Sequence, residues 1–124
     1  MPVINITSKS QFDDLVKSTP FVALQASASW CGPCKAISPL FAKHSDALAI
    51  ENTYAFAKFD TDDVPDLAFE LGVRSIPAFY FFENGDKAEG TLTGANPPAL
   101  KKSVEEVSEK ARATANTLST NEDV

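Results

Sequence analysis

Apolar residues recur along this chain in two rhythms, and the switching between them predicts alternating strands and helices. "VINI" (3–6) reads as a short strand. "TSKSQFDDLVKS" then places Phe12, Leu15 and Val16 on one helical face, with Thr7 or Ser8 as cap. "FVALQAS" (21–27) is a strand, apolar but for the interruption at Gln25. A helix is expected from near Cys31 to about Ala49. "TYAFAKFD" (53–60) is a strand with Tyr54, Phe56 and Lys58 on one face and Ala55, Ala57 and Phe59 on the other. "VPDLAFEL" (64–71) is a short helix stopped by Gly72. "AFYFF" (78–82) is a continuous apolar strand, "ENGD" (83–86) a hairpin turn, and "KAEGTLT" (87–93) the returning strand. A final helix over 95–111 starts with Asn96 as cap and prolines in its first turn; Leu100, Val104 and Val107 form its apolar stripe. Residues 112–124 are small, polar and acidic and read as a flexible tail beyond a single domain at 1–111.

The order β-α-β-α-β-α-β-β-α places parallel crossovers first and an antiparallel hairpin last. Strands this continuously apolar belong in the centre of a sheet covered on both faces. The expectation is an α/β fold: a three-layer α/β/α sandwich around a central mixed five-stranded sheet. At 124 residues the chain can build one core without crosslinks. A net charge of −6 disfavours nucleic acid and anionic membrane as partners. No apolar run approaches a membrane span. The opening residues show no basic region leading into an apolar run, so a secretory signal is not expected and a reducing, cytoplasmic setting is.

"SWCGPCK" (29–35) holds the two cysteines of the chain, Cys31 and Cys34. A disulfide between them would close a very small loop and restrain the unfolded chain little, which weakens a purely structural role. Zinc needs four ligands, and two cysteines with one histidine do not supply them. The pair falls where a strand hands over to a helix. Cys31 at the helix N-terminus meets unpaired N–H groups and the positive end of the dipole, which favour its thiolate. Pro33 suits the first turn, and Gly32 leaves room for a substrate backbone. Cys34, one turn in, is expected to be the more buried of the two, with Cys31 partly exposed. Lys35 adds positive charge. One thiolate that attacks and a second thiol that resolves is the arrangement thiol–disulfide exchange requires. His44 lies more than three helical turns past Cys31 and reads as a solvent-facing position rather than a base.

With these residues in view, the chain resembles the thioredoxin family through about residue 110, in the style of its small eukaryotic and fungal cytosolic members. WCGPCK is the family motif. Pro39 matches the proline within the active-site helix, and Pro77 in "RSIPAF" matches the family's cis-proline. "FFENGD" and "TGANP" match the hairpin and the groove glycine, Gly94. Lys58 matches a lysine below the active site. The resemblance implies the thioredoxin fold and a protein-disulfide reductase with Cys31 as nucleophile and Cys34 as resolving thiol. It implies docking of disulfide-containing target proteins on Trp30, Gly32, Pro33, Ile76, Pro77, Gly94 and Ala95. It also implies a monomer with no bound cofactor, re-reduced by thioredoxin reductase, through which FAD and NADPH act.

One position departs from the family. An acidic residue usually stands six before the first cysteine, buried beneath the second and relaying its proton; here it is Gln25. An amide hydrogen-bonds but does not titrate. This leaves open a second reading, a thioredoxin-fold binding, scaffold or chaperone module with weakened redox activity.

Overall fold

The computed structural model describes the backbone of residues 1–122 and side chains through residue 117. The elements are β1 (Ile4–Ile6), α1 (Lys9–Ser18), β2 (Phe21–Ser27), α2 (Gly32–Leu48), β3 (Tyr54–Asp60), α3 (Pro65–Leu71), β4 (Ala78–Glu83), β5 (Asp86–Lys87), β6 (Leu92–Thr93) and α4 (Pro97–Glu122). Local chemistry explains most of the boundaries. Ser8 caps α1, its Oγ accepting from Gln11 N at 3.1 Å. Gly72 ends α3 in the left-handed region at φ 67°. Asn84 and Gly85 both take positive φ, which gives the β4–β5 hairpin a turn twisted in the same sense as its strands. Asn96 Oδ1 accepts from Ala99 N at 3.2 Å at the start of α4.

The sheet runs β1-β3-β2-β4-β5, with β6 also paired to β4. β1 and β2 flank β3 in parallel, and β4 pairs β2 antiparallel. β2 is therefore central, and its first six residues are buried. Alternate residues feed two cores. Val22, Leu24, Ala57 and Phe59 face α1 and α3, where Phe12 and Leu67 meet them. Phe21, Ala23, Tyr54 and Phe56 face α2 and α4, where Ile37, Phe41, Leu100 and Val104 meet them. Phe41 packs its ring against Phe56 and Phe79 at 5.2 and 5.6 Å between centroids. These are the three layers the pattern predicts.

The sheet has six strands rather than five. The expected return strand over 87–93 is broken into β5 and β6, with Gly90 between them at φ 92°, a conformation incompatible with a continuous strand. The last helix also passes the boundary at 111 and continues to Glu122, while residues 123–124 lie outside the described residues. Ala111, Ala113 and Ala115 are strong helix formers, and the acidic, polar composition masks that propensity. At its 26 residues, α4 spans about 39 Å, well beyond a seven-residue strand.

Two polar groups mark the seam between α4 and the rest. Ser108 is buried on the core face of α4 and its Oγ has no hydrogen-bond partner. A helical serine ordinarily turns back to the carbonyl four residues earlier, here Val104. That carbonyl already accepts from the buried Tyr54 hydroxyl at 3.1 Å. Burial also pushes the Tyr54 phenol well above its ordinary value. His44 of α2 is half-buried rather than solvent-facing. Burial lowers its pKa from 6.5, with Glu105 opposing and Lys101 assisting from α4.

Ser108→Ala removes the orphaned hydroxyl and should raise stability by about 1 kcal/mol, or about 4 °C in melting temperature. A lower melting temperature in calorimetry would mean that the hydroxyl has a partner in solution. For His44 the folded pKa lies below the unfolded one, so its contribution is complete above the unfolded value and is lost as pH falls through the folded value. Against His44→Gln, which does not titrate, the wild type should lose relative stability between about pH 7 and about pH 5. Parallel denaturation curves across that range are the check.

Candidate active site

The site is built where β2 ends and α2 begins. Cys31 is the N-cap of α2, and its Sγ accepts from the backbone N–H of Cys34 at 3.2 Å. That N–H is one of the first-turn donors a helix leaves unpaired, and here it is aimed at sulfur. Cys31 and Cys34 are joined as a disulfide with Cα atoms 5.3 Å apart. Pro33 sits in the first turn, where its missing N–H leaves no gap. Pro39 stands within α2. Nothing lies within 4 Å of the Cβ that Gly32 lacks, so the space in front of it is open.

Exposure corrects one expectation. Cys31 is 4% exposed and Cys34 1%, so the order is as expected but Cys31 is not partly exposed. In the disulfide it packs with Ala28 and Cys34, and Ile76 packs against this cluster. The groups around it are open: Trp30, Gly32, Pro33, Gly94 and Ala95 are exposed, Ile76 is half-buried and Pro77 is buried. The Ile76–Pro77 peptide is cis. The Pro77 carbonyl accepts from Gly94 N at 2.8 Å, which brings the two segments of that surface together. Gly94 has φ 88°, a conformation that a side chain would strain.

The acidic run after β3 holds the loop before α2, a feature the sequence reading passed over. Asp60 Oδ2 accepts from Ser29 N at 3.0 Å and its Oδ1 from Asp62 N at 2.8 Å. Asp62 in turn accepts from Trp30 Nε1 at 2.9 Å, so the 69%-exposed indole is held at its polar edge while its apolar face stays open. The signal was present in "FDTDD", but nothing local says which loop those carboxylates reach.

Behind the disulfide lies an open groove of about 800 Å³ lined by Cys34, Lys35, Ser38, Lys58, Asp60 and Asp63, among others. Lys58 is exposed, and its backbone is in register with Gln25. Gln25 is fully buried on the sheet face that meets α2. Its Nε2 donates to Ser38 Oγ at 2.9 Å, and Ser38 Oγ donates to the Cys34 carbonyl at 2.7 Å. The interruption in β2 is thus tied, through one hydroxyl, to the first turn of α2. Ser38, four residues after Cys34 on the same helical face, is a residue that sequence reasoning missed. Among the described residues, no cluster of three or more His, Cys, Asp or Glu side chains is placed to hold a metal ion. Nor is any described helix long and apolar enough to cross a membrane.

Gln25→Asp tests the burial of this position. A carboxyl there resists ionising, so its folded pKa lies above the unfolded value of about 3.9. Below the unfolded pKa the penalty is small; it grows as pH rises to the folded pKa and levels off above it. A loss of about 1–3 kcal/mol at neutral pH is expected, smaller in acid. Denaturant midpoints that match the wild type at every pH would contradict this account.

The thioredoxin family model matches residues 3–106. Thioredoxin-like protein 1 of Schizosaccharomyces pombe is 43% identical over 114 residues, covering 92% of this chain and 39% of that protein. Thioredoxin-2 of Pyricularia oryzae is 44% identical over 101 residues, covering 82% and 57%. The chain therefore spans well under two thirds of the length of these two relatives. The crystal structure of Malassezia sympodialis thioredoxin (Mala s 13) superposes with a TM-score of 0.79 at 39% identity, covering 87% of this chain and 95% of that one. With its matched sheet, helices and cysteine pair, this chain belongs to the thioredoxin family.

Proposed function

We propose that the protein is a protein-disulfide reductase working by dithiol–disulfide exchange. The observation that carries this reading is the Cys31–Cys34 pair, capped on α2 with the Cys34 N–H aimed at Cys31 Sγ. In the reduced protein that N–H and the helix N-terminus stabilise a Cys31 thiolate. The thiolate attacks one sulfur of a target disulfide. The target S–S bond breaks, a mixed disulfide forms with Cys31, and the departing target thiolate takes up a proton. Cys34 loses its proton and attacks Cys31 Sγ. The mixed disulfide breaks, the Cys31–Cys34 bond forms again, and the second target thiolate is released and protonated. The two cysteines give the target two electrons; of the two protons it takes up, one corresponds to that lost by Cys34 and the other comes from solvent.

The surface of Trp30, Gly32, Pro33, Ile76, Pro77, Gly94 and Ala95 receives the target. It is apolar and offers backbone groups, so it suits many disulfide-bearing proteins. Lys35 and Lys58 border the groove behind Cys34 and add positive charge near the exchanging sulfurs. The oxidised protein is re-reduced by thioredoxin reductase, whose FAD passes electrons from NADPH. A monomer in the cytoplasm, with electron transport and redox homeostasis as its setting, accords with this chemistry. The test of activity is reduction of insulin disulfides with NADPH and reductase, which a scaffold with decayed redox function would not support.

Cys31→Ser should abolish turnover in that assay. Cys34→Ser should still attack and should accumulate a covalent mixed disulfide with its target, visible on a non-reducing gel and by intact mass. Product release by Cys34→Ser at the wild-type rate without added thiol would remove Cys34 from the resolving role.

A further inference from the structure

Gln25 Oε1 is buried and has no hydrogen-bond partner, an uncommon state for an amide carbonyl. Its orientation is forced. Ser38 Oγ carries one proton, which it gives to the Cys34 carbonyl at 2.7 Å. Towards Gln25 it can only accept, so the amide turns its NH2 to Ser38 and its carbonyl away. Cys34 and Ser38 lie one turn apart on the same face of α2, their Cβ atoms about 5–6 Å apart. An amide anchored on Ser38 from the sheet side therefore meets the face of α2 that also carries Cys34, and Gln25 and Cys34 are both fully buried. In the disulfide, Cys34 Sγ has no proton to donate. Opening the disulfide gives it one.

We propose that Gln25 Oε1, held in orientation by Ser38, accepts the hydrogen bond of the Cys34 thiol when the disulfide is reduced. The proposal rests on the disulfide-reductase reading. When a dithiol reduces the protein, the Cys31–Cys34 bond breaks, two electrons enter, Cys34 gains a proton and Cys31 is left as the thiolate, while the reductant closes to its own disulfide and its other proton passes to solvent. The Cys34 proton then meets the waiting acceptor. A carbonyl accepts the bond but not the proton, so Gln25 is a positioning residue: it favours the neutral thiol. When Cys34 attacks, its proton leaves to solvent on the groove side. The titratable groups lining that groove besides Cys34 are Lys35 from α2, Lys58 and Asp60 from β3 and Asp63 beyond it; the Cys31 sulfur, at the start of α2, accepts from the Cys34 N–H. From β2 and β4, Gln25, Ser27 and Phe79 occupy the face beneath, and none of them titrates.

The test uses the full chain reduced with dithiothreitol. Gln25→Leu keeps the volume and removes the acceptor. Its equilibrium with dithiothreitol should shift roughly five-fold towards the protein disulfide, the equivalent of one hydrogen bond. Ser38→Ala frees the amide to turn its NH2 to the sulfur, so Cys34 should titrate at lower pH than in the wild type. Ser38→Thr keeps the hydroxyl and should restore the wild-type titration, read by carbon NMR on cysteine-Cβ-labelled protein. If Gln25→Leu does not fold, the Ser38 pair decides. An unmoved equilibrium in folded Gln25→Leu, or an unmoved Cys34 titration in Ser38→Ala, overturns the proposal. Turnover of the wild type with NADPH and reductase, measured alongside, separates the two claims. A wild type that takes no electrons defeats the reductase reading, whereas an active wild type with unmoved variants defeats only the role of Gln25.

Discussion

The N–H of Cys34 points at Cys31 Sγ, and the site depends on that contact being held in place. The contact exists because α2 begins at Gly32 with Cys31 as its cap. The start of α2 is fixed in turn by β2, a strand buried between β3 and β4 that cannot slip by one residue without turning its apolar side chains to the wrong cores. A helix N-terminus offers donors and a positive field within its first turn only. A shift of either cysteine would separate the sulfur from the field that activates it.

Around that contact the molecule separates rigidity from openness. The sulfurs are buried among Ala28 and Ile76, and the loop bearing Trp30 is held by Asp60 and Asp62. The surface beyond them is open and apolar, with Trp30 at 69% exposure. An indole fixed at its N–H and bare on its face loses little conformational freedom when a partner covers it. Below the sulfurs the balance differs: Gln25 brings a polar group into the sheet interior, and only one end of its amide is satisfied. In a region of low dielectric an amide satisfied at only one end is unfavourable.

Much of this was legible in the sequence because the signals are local. Periodicity placed β2 and β3 and their two faces. Ser8, Gly72, Asn84-Gly85 and Asn96 marked ends and turns by their own backbone and side-chain preferences. The split of the return strand was less visible, because one glycine among strand-compatible residues does not announce a break. The length of α4 was hidden by composition, since alanines that favour a helix stand among residues typical of tails.

The sequence by itself determined the order of elements, the faces of the central strands and the placing of Cys31 at a helix start, since each follows from residues within a few positions of one another. Its motifs, by resemblance, also pointed to the family. Only the tertiary structure decided what crosses between elements. Asp62 reaches Trp30 across 32 positions and Gln25 reaches Ser38 across 13. Tyr54 takes the carbonyl that would have served Ser108, and Ile76 packs against the cysteine pair. Such contacts depend on which side chains the packed layers bring within about 3 Å of each other. That distance is set by the whole fold, and no single segment encodes it.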